Sequence, residues 1–129
     1  MKPETLPWID KAEGDWDTMR RESGVSVRPN FDAVCFHAQQ CAEKYLKERL
    51  VEVGIPFART HDLLNLLKVV AEVEPEWQEF ETELSVLSVY GVAGRYPGLV
   101  ADDEQAALAV EYCKTVRAVV RRSFALDLE

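Results

Sequence analysis

His37 and His61 are the only two imidazoles in the chain, so any histidine chemistry near neutral pH must run through one or both. Cys35 stands two residues before His37. On a helix such residues diverge by about 200°, which rules them out as a nucleophile and its base. Val34 and Ala58 occupy the positions three before the histidines, so the Glu-x-x-His pairs of a carboxylate-bridged di-iron bundle are absent. There is no His-Glu-x-x-His, no Walker A loop and no GxGxxG run, and no metal site is expected. His37, Gln40, Lys44 and Lys47 step by three, four and three, placing them on one helix face. Such a stripe can hydrogen-bond a base or ribose and neutralise a phosphate; equally, it can be an ordinary polar face. His61 stands beside Asp62 at a helix start, where it serves either as a capping-region residue or as a polar group on a site rim. Arg95 offers a planar donor fork suited to phosphate, and Tyr96 a ring that can stack on a base. Their structural alternatives are a salt bridge to a glutamate and a ring packed in its loop.

The elements that position these residues read as helices. Ile9, Ala12, Trp16 and Met19 share one face of a helix expected over residues 6–22. Gly24 and Pro29 bracket a break, and Asn30 is a plausible N-cap for a second helix over 31–53, stopped by Gly54. Phe31, Val34, Ala38, Ala42, Tyr45 and Leu50 form its core stripe, with Phe36 off that stripe and a candidate for a partner surface. Thr60 is expected to cap a third helix carrying Leu63, Leu64, Leu67 and Val70. Pro75 suits the first turn of a fourth, striped by Trp77, Phe80, Leu84 and Leu87. Asp102 or Asp103 caps the last helix, expected to reach Ala125. The broad apolar face of Ala106, Ala109, Val110, Cys113, Val116 and Val120 marks that helix as central. Its basic end, with Lys114, Arg117, Arg121 and Arg122, suits a helix C-terminus. No segment alternates as a strand does. The expected fold is all-α: one domain over 1–129, an up-and-down bundle of four main helices plus a shorter fifth element.

Composition narrows the function classes. The 129 residues suffice for one core. With 15 Lys and Arg against 23 Asp and Glu, the net charge is −8, which argues against duplex DNA as a partner. No apolar run reaches the ~18–20 residues a membrane helix needs. The first ten residues lack a signal peptide's apolar core, so a cytoplasmic location is expected. Cys35, Cys41 and Cys113 lack metal or disulfide spacing and read as reduced core residues. No Lys or Arg occurs from Val69 to Gly94, where Glu72, Glu74, Glu76, Glu79, Glu81 and Glu83 crowd. That run is either a solvated face or a docking surface for a basic partner.

The run Ala33-Val34-Cys35-Phe36-His37-Ala38-Gln39-Gln40-Cys41-Ala42-Glu43-Lys44 resembles the second-helix signature of HEPN domains. Thr60-His61-Asp62-Leu63 matches the T-H-D-L start of the following helix in that family, and Arg95-Tyr96-Pro97 its R-Y-P element. The resemblance implies a helical bundle like the C-terminal domain of kanamycin nucleotidyltransferase. It also implies a homodimer, nucleotide binding and a minimal nucleotidyltransferase as partner. Many members are metal-independent ribonucleases built on R-x4–6-H. Here Arg95 matches the Arg, but Val100, Ala101 and Asp102 fill the candidate His positions. The expectation is therefore a non-catalytic nucleotide- or partner-binding module using His37, Gln40, Lys44, His61, Arg95 and Tyr96, with Phe36 at an interface and no cofactor beyond a nucleotide ligand. The alternatives are a ribonuclease with a displaced histidine, in which Arg95 and His61 would act on RNA, and an adaptor docking through its acidic fourth helix.

Overall fold

The computed structural model describes residues 1–91 and 100–126. Among the described residues five α-helices run in order: α1 Leu6–Ser23, α2 Phe31–Val53, α3 Leu63–Val70, α4 Glu81–Ser88 and α5 Asp103–Ser123. Short 3₁₀ turns at Pro3–Thr5, Pro75–Phe80 and Val89–Gly91 join or extend them. Among the described residues there is no strand, and no helix is long and apolar enough to cross a membrane.

The helix ends follow local chemistry. The Asn30 side chain accepts a hydrogen bond from the Ala33 amide at 2.9 Å, the N-cap expected of α2. Gly54 ends that helix in the left-handed region at φ 74°, and the Ile55 amide reaches back to the Leu50 carbonyl. Asp102 and Gln105 form a reciprocal capping box on α5. The α3 cap is Asp62, which accepts from the Leu64 and Asn65 amides, rather than Thr60. Thr60 instead accepts from the Asp62 amide at 3.0 Å and so steadies the cap itself. Pro75 opens a 3₁₀ turn, with α4 proper beginning at Glu81.

The central helix is α2, not α5. It packs on α1, α3, α4 and α5, and none of its 23 residues is exposed. By contrast, α5 keeps an open face that includes Glu104, Leu108, Glu111 and Lys114. Apolar periodicity pointed to α5 because a helix covered on every side shows little amphipathic pattern. Met19, Ala38, Leu46, Leu50, Leu66, Leu87 and Val116 lie in the common core. Cys35, Cys41 and Cys113 are free and buried there.

Candidate functional site

A helix buried on all sides must find partners for every polar residue it carries. On α2 those partners are carboxylates. Glu43 is nearly buried, with its side chain 4% exposed. One oxygen lies 2.8 Å from His61 Nδ1 and the other 3.0 Å from Lys47 Nζ, one helical turn on. Gln39, a turn earlier, donates through Nε2 both to Glu43 and to the His61 carbonyl, each at 3.1 Å. The imidazole is therefore held by its ring and its backbone, while 64% of its side chain faces solvent. A carboxylate only accepts, so Nδ1 carries the proton that is shared with Glu43, and the rest of the ring faces solvent. Lys47 Nζ also lies 5.9 Å from the Trp8 ring centre and 5.8 Å from that of Phe57, two rings that meet edge to face. Acid–base groups, a cation and aromatic surface thus converge around Glu43.

Asp15 on α1 repeats the pattern. Its two oxygens take His37 Nδ1, at 2.7 Å, and Lys44 Nζ. The Phe36 ring stands edge-on to the His37 ring, with centres 5.3 Å apart. Further along the same contact, Glu13 accepts from Arg117 and from the Tyr45 hydroxyl, and Arg121 donates to the Tyr45 oxygen at 3.1 Å. Burial pushes the Glu13 carboxyl up, but the hydrogen bonds from Arg117 and Tyr45 outweigh it and hold the group below its ordinary range. Arg117, expected to complement a helix end, is instead buried in this network and stacked 4.4 Å over Trp16.

The HEPN domain profile matches residues 6–123, nearly the whole chain. The chain belongs to the HEPN domain family. No curated protein matches it. Among solved structures, TT1696 from Thermus thermophilus superposes with a TM-score of 0.81 at 22% identity, over 94% of this chain and 98% of that one. At that identity the likeness is one of fold.

Within this HEPN bundle, the expected stripe of four does not form one site. His37 and Lys44 belong to Asp15, and Lys47 to Glu43. Gln40 joins the His61 side, donating to Gln39 Oε1 at 2.6 Å. Each lysine already faces a carboxylate, which weakens the case for Lys44 as a phosphate ligand. Arg95 and Tyr96 lie outside the described residues. Phe36 is half-buried beside His37. Sequence reasoning missed Asp15, Gln39, Glu43, Trp8 and Phe57 as parts of these clusters. Glu43 left a signal: it precedes Lys47 by four residues, the favourable order for a helical ion pair. Asp15 left none, because its partners sit 22 and 29 residues away on another helix. Of the acidic run, Glu72, Glu76, Glu79 and Glu81 are exposed, while Glu74 is tied to Arg49.

Proposed function

We propose that this HEPN protein is a non-catalytic nucleotide-binding module. On this reading it acts in the cytoplasm as a homodimer, beside a minimal nucleotidyltransferase in a toxin–antitoxin-like pair. The observation that carries the nucleotide part is His61, a solvent-facing imidazole fixed by a buried carboxylate next to Lys47, Trp8 and Phe57. A preorganised ring loses little freedom on binding, and His61 Nε2 can bond to a base or ribose. Arg95 would supply the phosphate contact. The non-catalytic part rests on the R-x4–6-H pattern, which lacks its histidine after Arg95. Calorimetric titration with ATP and with a short single-stranded RNA tests the reading. Binding should weaken at least about tenfold, or about 1.4 kcal/mol, in His61→Ala and in Arg95→Ala. Absence of binding by wild-type protein would refute it.

The Glu43–His61 pair also favours a second reading, a metal-independent ribonuclease with a displaced histidine. A carboxylate-oriented imidazole with a free Nε2 is the arrangement a general base requires. Cleavage of single-stranded RNA that disappears in both His61→Ala and Arg95→Ala would establish this reading over the first. Complete inactivity of clean wild-type protein would dismiss it.

A further inference from the structure

Glu48 takes part in none of these networks. It lies in the C-terminal third of α2, fully buried, and among the described residues neither carboxylate oxygen has a hydrogen-bond partner. An ionised carboxylate in such a place bears a desolvation cost that no partner offsets, whereas the neutral acid bears far less. The charged groups around it are already engaged. From α1 comes Glu13, bound to Arg117 and Tyr45. From α5 comes Arg121, which donates to Tyr45 and lies 3.6 Å from Glu13. On α2 itself, Arg49 is bonded to Glu74 and lies over the Phe124 ring. Also on α2, Glu52 accepts from the Lys2 amide and the Thr5 hydroxyl. Two of the four neighbours are carboxylates that repel a negative Glu48, and both arginines are shared with other acids.

We infer that Glu48 is a proton latch: the fold holds it as the neutral acid, and its ionisation loosens the seam where α1, α2 and α5 meet. Once charged, Glu48 competes with Glu13 and Tyr45 for Arg121, and Arg121 can satisfy one side only at the expense of the other. Burial is the main cause that pushes this carboxyl up to about 8, so the latch releases just above neutral pH. The sign follows from linkage. The folded chain binds a proton that the unfolded chain has already released, so the contribution of Glu48 is greatest below about 4.5 and falls as pH rises to about 8.

Urea unfolding of the full chain at half-unit steps from pH 5 to 9 tests the latch, with wild type, Glu48→Gln and the exposed control Glu79→Gln compared. Glutamine keeps the shape and removes the charge. The folding constant of wild type relative to Glu48→Gln should fall as pH rises, by up to about tenfold per unit, the limit for one proton. The Glu79→Gln variant should keep the wild-type slope. Parallel curves for wild type and Glu48→Gln would overturn the inference. If the glutamine variant does not fold, carbon-13 NMR of glutamate-labelled wild type decides. One carboxyl titrating near 8 supports the latch. A protein in which every glutamate titrates in the ordinary range has none.

Discussion

Glu43 and Asp15 each hold a histidine on one oxygen and a lysine on the other, yet a histidine and the acid that holds it differ in what their loss should cost. His61 is 64% exposed, so His61→Ala gives up little packing, and its stability cost should stay under about 1 kcal/mol. Glu43→Ala removes the counter-charge of Lys47, whose side chain is 10% exposed. Leaving that ammonium buried and unpaired should cost about 3–5 kcal/mol. Urea unfolding of the two variants measures the contrast. Comparable costs would mean that Lys47 reaches water without Glu43, and that Glu43 does not anchor the cluster. A ligand-binding role for His61 adds a second signature: His61→Ala should lose nucleotide affinity while remaining folded.

At the scale of the element, α2 depends on its ends. Gly54 adopts φ 74°, and a Cβ placed there would meet nothing nearer than the Lys2 side chain at 3.7 Å. Space is therefore available, and the penalty for a side chain lies in the backbone. Gly54→Ala should cost about 1–2 kcal/mol, seen as a lower melting temperature with unchanged helical circular dichroism. An unchanged melting temperature would show that the chain leaves α2 without needing the left-handed turn. The same turn leads into the segment carrying Phe57 and His61, so the helix stop also sets the path of the candidate site.

At the scale of the whole molecule, two acids titrate in opposite directions. Glu13 is held below the ordinary carboxylate range, so its contribution is present above about 4.5 and is lost as pH falls through its lowered value. Glu48 acts in the other direction, and its contribution declines toward about 8. Stability should therefore peak on the acidic side of neutral. Glu13→Gln should flatten the acid limb, and Glu48→Gln the alkaline limb, of the melting temperature plotted against pH. A profile whose acid limb is the same with and without Glu13 would show that its bonds to Arg117 and Tyr45 do not separate folded from unfolded titration. The proposed homodimer has its own test in Phe36→Glu. That variant should be monomeric by light scattering and retain full helical circular dichroism, whereas unfolding would make Phe36 a core residue.

The sequence by itself determined the elements, the family and the apolar core. Helical periodicity, Asn30 and Gly54 bounded α2, and the runs around His37 and His61 carried the resemblance that the HEPN match confirms over 6–123. Local pattern suffices there because caps and stripes act over one or two turns. Tertiary structure decided which helix is central and which acid serves which histidine. The polar residues of α2 looked like a solvent face because their spacing is that of one. They are covered because α1 supplies Asp15 and α2's own Glu43 receives a histidine from the chain before α3. A pairing between residues on separate segments leaves no periodic trace in either, and an ion pair between two helices appears in a sequence only as two charges far apart. For the same reason the isolation of Glu48 was invisible: an acid's want of a partner is a property of every element packed around it.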